Sequence, residues 1–389
     1  MRVITPSGDL AEFCRAVSKS AFVTVDTEFI RDTTYWPQLC LVQMAGETAV
    51  GAIDVMADDI DLAPMFDLMA NRRVLKVFHA ARQDVEIFFH LTGSVPTPIF
   101  DTQVAAMVCG FGDSIGYEPL VAKLVGAAID KSSRYTDWSR RPLTDRQLRY
   151  ALDDVTHLRP VYEKLAHRLK RNRRASWLEE EMAVLTSPAT YDLSPGDAWR
   201  RLKRVRSTKP EFLGTLRAVA AWRESEAQTR DIPRSRVLRD DVLIEIASSR
   251  PENTADLGRI RGVGRDFTSG RHGRAVLQAV AEGAANPVHD AAGRRGNSNP
   301  RAAGPVVDLL KVLLKMRCEE KGVAQRLVAS SADLERIAAE DDADVPALRG
   351  WRREIFGDDA LALKGGRLGV ALDGGKLALF EPRSGDPPD

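Results

Sequence analysis

Short apolar runs alternate with amphipathic stretches through the first third of the chain. Runs rich in branched and aromatic residues and bounded by turn residues predict strands over residues 21–29, 38–45, 48–55 and 74–80. Gly46 and Glu47 separate the second run from the third and predict a hairpin. Apolar residues at helical spacing predict helices over residues 8–20, 62–69, 82–91, 101–108 and 118–125. A hairpin followed by strands that alternate with helices predicts a mixed α/β sheet with flanking helices.

A long capped helix is predicted after this sheet. Thr144 and Gln147 have the spacing of a capping box, and apolar residues continue at helical spacing as far as Leu165. Pro160 lies within this stretch and predicts a kink. The polar segment before the helix, residues 131–143, carries an interleaved Tyr and Trp and is predicted to be a loop close to the functional site.

The second half of the chain is predicted to be helical and divided by a linker. Helical spacing recurs over residues 212–228, 240–248, 255–260, 274–281, 306–321, 331–339 and 346–356. Residues 286–304 are rich in Ala, Gly, Asn and Pro and have almost nothing to bury, as in a linker. The glycine-rich residues 361–380 predict a hairpin, and residues 381–389 a disordered tail. We therefore predict domains at residues 1–185, 205–285 and 305–380.

Length and composition predict a soluble globular protein with several separate cores. A chain of 389 residues exceeds one ordinary domain, and no apolar run approaches the roughly 20 residues that cross a bilayer. The four cysteines are scattered without metal-site spacing, which favours a reducing cytoplasm over a disulfide framework or a zinc site. The net charge is only +1, but ten Lys or Arg residues against five acids lie between residues 168 and 206. This basic segment favours a nucleic acid as a partner.

Two carboxylates, Asp26 and Glu28, follow one another at alternate positions of the first predicted strand. Alternate side chains of a strand point to the same face, so the two acids would lie side by side. Divalent cations such as Mg²⁺ prefer such hard oxygen ligands, which makes the pair a candidate metal site. On its own the pattern is more often a solvated turn. Asp84, in the first turn of a predicted helix, could join the pair or simply stabilise its own helix N-terminus.

The capped helix offers two adjacent acids, Asp153 and Asp154, which its periodicity separates. At about 100° per residue, Asp154 falls on the same half-apolar face as Tyr150, whereas Asp153 falls among cations on the opposite flank. A carboxylate on a half-apolar face is costly without a cation to pair with. Asp154 is therefore the better candidate for a metal ligand, and a solvated acid pair is the alternative.

These acids carry a resemblance to a known family. The motifs VDTEF, HAARQDVEIF and YALDDV, in that order, resemble the three motifs of the tyrosine-bearing branch of the DEDD exonucleases, and most closely the ribonuclease D family. Residues 212–281 resemble the helicase-and-RNase-D C-terminal (HRDC) domain, and residues 306–375 resemble a second, degenerate copy. The resemblance implies an RNase H-like α/β exonuclease core followed by two small all-α HRDC-like domains.

The resemblance also implies a reaction and its residues. Asp26, Glu28, Asp84 and Asp154 would hold two Mg²⁺ or Mn²⁺ ions, and Tyr150 would orient or help to deprotonate the attacking water. The enzyme would remove nucleoside 5′-monophosphates from the 3′ end of RNA, in particular tRNA precursors and other structured RNAs with single-stranded 3′ ends. No membrane and no obligate protein partner is expected.

Two other functions stay open at this stage. The same acids serve 3′-5′ DNA exonucleases, and nothing in them reads a 2′-hydroxyl group. An inert nucleic-acid-binding scaffold is the other alternative. An incomplete set of acids would have favoured it, and all four acids are present.

Aromatic side chains are the candidates for contact with RNA. Bases of single strands stack on aromatic rings, and each candidate ring could equally be ordinary core or rim packing. The candidate rings are Phe29, Tyr35, Trp36, Tyr135 and Trp138.

Overall fold

The first half of the chain folds around one mixed sheet. The computed structural model of the protein describes residues 3–133, 136–203, 205, 207–289 and 300–382. The sheet has six strands in the order β1-β4-β3-β2-β5-β6. Its strands are β1 (Val3–Ile4), β2 (Phe22–Ile30), β3 (Gln38–Ala45), β4 (Val50–Ile53), β5 (Leu75–Phe78) and β6 (Ile99–Asp101). The predicted mixed sheet is confirmed; β1 and β6, with two and three residues, are too short to leave a periodic signal.

Helices cover both faces of this sheet. They are α1 (Ser7–Val17), α2 (Ala63–Ala70), α3 (Arg82–Thr92), α4 (Thr102–Val108), α5 (Tyr117–Val125), α6 (Asp145–Thr156), α7 (Leu158–Arg171) and α8 (Ala175–Thr186). Within the described part of the chain, no helix is both long and apolar enough to cross a membrane.

Strand β2 runs beyond its parallel neighbour, and this creates an opening in the sheet. Its residues 22–24 pair with β5, whereas the whole stretch of residues 24–30 pairs with β3 on the other side. Strand β5 ends at Phe78 and the chain turns there into α3. The second half of β2 therefore faces the start of α3 across a crevice at the carboxyl end of the parallel strands, where ligands bind in open α/β sheets.

The long capped helix is two helices. The prediction of one helix kinked at Pro160 is wrong, because α6 ends at Thr156 and α7 begins at Leu158. The ring of Pro160 would clash with the carbonyl of residue 156 in a continuous helix, whereas it fits the first turn of a new one. The capping box at the start of α6 is confirmed, with Thr144 and Gln147 each accepting the other's backbone N–H.

Residues 210–289 form a helical unit with its own core. Its helices are α9 (Pro210–Thr229), α10 (Arg234–Val237), α11 (Asp240–Ser249), α12 (Thr254–Arg259), α13 (Arg265–Ser269) and α14 (Arg271–Ala285). Its core holds Leu216, Leu243 and Val276, and Trp199 joins it from the 3₁₀ segment Pro195–Arg201.

The C-terminal region is helical and ends in the predicted hairpin. Its elements are α15 (Pro300–Lys321), α16 (Gln325–Val328), α17 (Ser331–Ala339), α18 (Gly350–Arg352), a π-helical turn (Arg353–Gly357), α19 (Asp358–Lys364), β7 (Gly369–Asp373) and β8 (Lys376–Phe380). Helix α15 starts four residues before the end of the predicted linker. The middle of that linker, residues 290–299, and most of the predicted tail, residues 383–389, lie outside the described residues.

The C-terminal region shares the core of the first domain. Leu310, Leu313 and Phe356 belong to the same apolar cluster as Phe78 and Phe88. The backbone N–H of Ala324 donates to the carbonyl of Met107 at 3.0 Å. At Gly110 (φ +80°), a Cβ atom would lie 2.6 Å from the carbonyl oxygen of Gly322, so only glycine allows this approach.

The middle unit touches the first domain at the loop that follows β2. The hydroxyl of Tyr35 donates to Glu224 at 2.5 Å, and Arg234 holds both oxygens of that buried carboxylate. Asp231 accepts the backbone N–H groups of Tyr35 and Trp36 at 3.0 and 2.9 Å. This network, which we call the Tyr35 network, fixes residues 31–37 to the helical unit.

Candidate active site

Three carboxylates converge in the crevice beside β2. One oxygen from each of Asp26, Glu28 and Asp154 lies within 4.8 Å of the others. Asp26 and Glu28 are brought together by the strand alternation, and Asp154 reaches them from α6, which packs across β2 and β3. Burial, and then the charge of Asp154, raise the pKa of the Asp26 carboxyl well above its ordinary value.

The fourth predicted acid, Asp84, stands just outside this group. It lies in the first turn of α3 and is 8% exposed, and its carboxylate accepts a 2.5 Å hydrogen bond from the hydroxyl of Thr27. Burial, and then the charge of Asp26, raise the pKa of Asp84 well above its ordinary value. The two acids therefore interact electrostatically, although Asp84 lies beyond the 4.8 Å group.

Two hydrogen bonds fix the part of α6 that carries Asp154. The hydroxyl of Thr24 on β2 donates to the carbonyl of Val155 at 2.8 Å. From the other side, the Tyr117 hydroxyl donates to the carbonyl of Asp154. Both bonds hold the backbone next to Asp154, so its side chain is aimed from a fixed position.

The phenol of Tyr150 contacts this carboxylate directly. Burial raises the pKa of Tyr150, and the charges of Asp154, Glu28 and Asp26 and the hydrogen bond from Tyr150 to Asp154 raise it further. The phenol is therefore protonated at neutral pH and acts as a hydrogen-bond donor. Its position one helical turn before Asp154 agrees with the predicted helix phase, and Asp153 is not among the residues that line the cleft.

A cleft of about 810 Å³ opens over the acids. Its walls come from the second half of β2, the start of α3, the start of α5 and the exposed face of α6. Besides the acids, the polar side chains on its walls include Arg31, His79, Gln83, Gln103 and Glu118. This volume falls in the range of pockets that hold small molecules, and it suits one or two nucleotides better than a folded RNA.

The five candidate aromatic rings separate into different environments. Phe29 lines the cleft, and Trp138 lines it too but is only 2% exposed. Tyr35 is 4% exposed within the Tyr35 network, so its ring is buried and has no face for a base. Trp36 lies outside the cleft and stacks on His90 at a centroid distance of 4.0 Å. Tyr135 lies outside the described residues.

The sequence patterns gave no indication of Asp101, the last residue of β6. It is 2% exposed, and its carboxylate accepts backbone N–H groups of Ala80 and Ala81 before α3 and of Gln103 and Val104 in α4. An Asp directly before a helical run is an N-cap signal, which could have identified the α4 contacts. The contacts to Ala80 and Ala81 depend on the tertiary fold and leave no such signal.

His79 also lines the cleft, as a neutral side chain. Its Nδ1 lies 2.9 Å from the hydroxyl of Thr102, and burial lowers its pKa to about 4. An imidazole of this kind adds polarity to the wall of the cleft but no charge at neutral pH.

The acids fit divalent metal ions. Hard carboxylate oxygens are the ligands that Mg²⁺ and Mn²⁺ prefer, and the raised pKa values of Asp26 and Asp84 show that the bare cluster is electrostatically unfavourable. A bound cation removes that cost.

The basic segment between residues 168 and 206 is partly used inside the protein. Arg174 donates to the carbonyls of Val108, Lys321 and Gly322, Arg168 covers the ring of Phe111, and Arg201 pairs with Glu224. Arg204 and Arg206 lie outside the described residues. A count of basic residues therefore overstates the charge that this segment offers to a nucleic acid.

Comparison with known proteins gives the same assignment for both halves of the chain. Residues 1–170 match the 3′-5′ exonuclease family and residues 212–280 match the HRDC domain. Ribonuclease D of Granulibacter bethesdensis is 51% identical over 97% of this chain and 96% of its own length. Ribonuclease D of Nitrobacter hamburgensis is 51% identical over 98% of this chain and 100% of its own.

A solved structure extends the comparison to the fold. The structure of Escherichia coli RNase D, an exoribonuclease involved in structured RNA processing, has a TM-score of 0.79. It shares 27% identity and covers 93% of this chain and 98% of its own. The catalytic core of RRP6 from Trypanosoma brucei has the same fold, with a TM-score of 0.52 at 20% identity over 72% of this chain and 79% of its own.

Proposed function

This chain belongs to the ribonuclease D family of 3′-5′ exoribonucleases, and we propose that it uses two divalent metal ions to release nucleoside 5′-monophosphates from the 3′ ends of RNA. The observation that carries the proposal is the convergence of Asp26, Glu28 and Asp154 at the floor of a cleft, with Tyr150 bonded to Asp154. A cleft with half-buried acids on its walls accepts a chain end more readily than the middle of a strand. This shape favours removal of terminal nucleotides.

The proposed site residues divide into metal ligands and a positioning group. Asp26, Glu28 and Asp154 would hold the ions, and Asp84 would join them from α3. When bound, such ions stabilise the attacking and leaving oxygens of an in-line displacement at phosphorus. Burial and the neighbouring acids raise the pKa of the Tyr150 phenol and keep it protonated, so it donates a hydrogen bond and would orient the attacking water. The half-apolar walls would limit the access of other water molecules.

The experiment that tests the reaction follows a 5′-labelled RNA over time with Mg²⁺ or Mn²⁺. We expect a ladder that shortens from the 3′ end and nucleoside 5′-monophosphates as the products, with no cleavage in EDTA. Internal fragments as first products, or full cleavage in EDTA, would contradict the proposal. Asp26→Asn and Asp84→Asn are expected to be inactive while keeping the circular dichroism spectrum of the parent chain.

We propose tRNA precursors and other structured RNAs with single-stranded 3′ ends as the substrates. Two observations support this: the similar Escherichia coli RNase D is involved in structured RNA processing, and the size of the cleft suits unpaired nucleotides. A tRNA precursor with a 3′ trailer should be trimmed until the trailer is gone, and the same precursor with its trailer annealed to a complementary strand should resist. Equal rates on the two would contradict this specificity.

A DNA exonuclease is the nearest alternative, because the same acids serve both reactions. Single-turnover rates on RNA and DNA oligonucleotides of one sequence distinguish the two. We expect the RNA to be degraded faster. The inert-scaffold alternative is disfavoured, because three acids converge and the fourth lies in electrostatic contact with them.

A further inference from the structure

Asp101 connects the starts of two helices, α3 and α4, at the edge of the cleft. Its oxygen Oδ1 accepts the N–H groups of Ala80, Gln103 and Val104 at 3.0, 2.8 and 3.4 Å. Oxygen Oδ2 accepts the N–H of Ala81 at 2.9 Å. All four partners are donors and the side chain is buried, so a carboxylate fits this position better than any neutral side chain.

The turn that Asp101 holds has an unfavourable backbone. Ala80 has a φ of +59°, a left-handed conformation that is costly for a residue with a Cβ atom. Such a conformation persists only where the surroundings impose it, and the two bonds to Asp101 fall on Ala80 and its neighbour. The next residue, Arg82, is the first of α3.

The start of α3 links this turn to the metal-binding acids through Asp84. Asp84 is the third residue of α3, so the direction of its side chain depends on where the helix begins. The N-cap residue of α3, Ala81, makes no side-chain cap hydrogen bond of its own.

We propose that Asp101 is a positioning residue for Asp84: it holds the strained turn at Ala80 and thereby sets the place of Asp84 in the metal site. This inference rests on the proposed function, since it assigns Asp84 to the metal ions. It assigns no contact with substrate to Asp101 itself. Groups that orient a metal ligand in this way typically change metal affinity by about 10- to 100-fold when they are removed.

The test is Asp101→Asn, which replaces one carboxylate oxygen with an NH₂ group and leaves the shape of the side chain unchanged. With its oxygen in the place of Oδ1, the amide keeps the three bonds on that side, and its NH₂ group then faces the N–H of Ala81. The start of α4 stays capped, whereas the turn before α3 loses one of its two bonds to residue 101, the one from the Ala81 N–H. We expect Mn²⁺ binding without RNA, measured by electron paramagnetic resonance, to weaken by about 10-fold or more. The Mg²⁺ concentration for half-maximal cleavage should rise by a similar factor.

Lys76→Met is the matched control for general destabilisation. Lys76 is fully buried on β5, next to β6, and its ammonium donates to the carbonyls of Asn71, Val74 and Thr97, at the opposite end of the strand from Ala80. Its loss should lower the melting temperature without changing Mn²⁺ affinity. Hydrogen exchange adds a local readout: in Asp101→Asn the amides of residues 80–82 should exchange faster, whereas those of α4 should not.

The outcomes are separable. Wild-type Mn²⁺ affinity and wild-type exchange at residues 80–82 in Asp101→Asn would overturn the proposal, as would an equal loss of affinity in Lys76→Met. If Asp101→Asn does not fold, Ala80→Gly is added to it, because glycine accepts the left-handed turn without strain. The double variant must still bind Mn²⁺ about 10-fold or more weakly than Ala80→Gly alone. The Mn²⁺-binding and hydrogen-exchange measurements use no RNA, so failure of the wild-type protein to cleave RNA would refute the proposed function without deciding this inference.

Discussion

At the scale of single residues, the charges of the acids in and beside the cleft are costly without a cation and are stabilised by one. Asp26 is half-buried, Asp84 is buried, and both have other acids nearby, so their carboxyls have raised pKa values in the metal-free protein. Asp153, the neighbour of Asp154, is not among the residues that line the cleft. These positions determine how each acid should respond to substitution and to pH.

The first prediction compares the two adjacent acids of α6. Asp154→Ala should abolish turnover, and Tyr150→Phe should lower it about 100-fold or more while leaving metal binding intact, as expected for loss of a group that orients a reactant. Asp153→Ala should be nearly silent, because surface charges contribute about 0–1 kcal/mol. Single-turnover cleavage of a short labelled RNA measures all three. An inactive Asp153→Ala beside an active Asp154→Ala would contradict the proposed site.

The second prediction concerns stability and pH. In the metal-free protein the raised pKa values of Asp26 and Asp84 mean that the folded state binds more protons than the unfolded chain, so the free energy of unfolding falls as the pH rises above about 4. A divalent cation offsets this loss. At a concentration about 100 times its Kd it should add about 2.7 kcal/mol.

Thermal melts with and without Mg²⁺ at pH 5 and pH 8 test this prediction. The rise in melting temperature on adding Mg²⁺ should be larger at pH 8, because the acids are then ionised in a greater fraction of molecules. Asp26→Asn is the control and should reduce both the pH dependence and the rise. An equal rise at both pH values would show that the ion binds elsewhere.

At the scale of elements, the sequence predicted the features that depend on residues close together in the chain. The capping box at Thr144 and the strand alternation of Asp26 and Glu28 depend on residues within four positions of each other, and the structure has both. The break at His157 was missed because Pro160 only forbids a continuous helix and does not say where the first one ends. Asp101 and Tyr35 have partners 20 or more residues away, which no local pattern encodes.

The third prediction uses the start of α6. Thr144→Ala removes the acceptor of the Gln147 N–H and should cost about 1 kcal/mol of stability, measured by urea unfolding. Thr144→Ser keeps the hydroxyl and should cost much less. Since the other contacts of α6, from Thr24 and Tyr117, remain, turnover should change little. A loss of turnover without a loss of stability would assign the cap a direct part in the reaction.

At the scale of the whole molecule, the helical unit of residues 210–289 supports the wall of the cleft. Arg31 and Asp32 line the cleft, and the Tyr35 network anchors the chain a few residues further on. Arg31 also pairs with Glu86 of α3 at 3.0 Å. We therefore expect the unit to influence the site through this loop, independently of any contact with RNA.

The fourth prediction separates these two roles. Asp231→Ala removes the acceptor of the Tyr35 and Trp36 N–H groups and should lower turnover several-fold even on an RNA of four or five nucleotides, too short to span the unit. Asp241→Ala, an exposed acid of the same unit paired with Arg239, is the control and should have no effect. Wild-type turnover in Asp231→Ala would mean that the unit does not act through this loop.

The shared core of the first and last regions has a consequence for synthesis of the chain. Leu310, Leu313 and Phe356 are synthesised well after the first domain, yet they fill an apolar cluster begun by residues near the start. A nascent chain that ends before them exposes part of that cluster to solvent, and such surfaces favour aggregation. The core of the first domain is therefore complete only once these later residues have been synthesised, and until then its exposed apolar surface is the kind that chaperones bind.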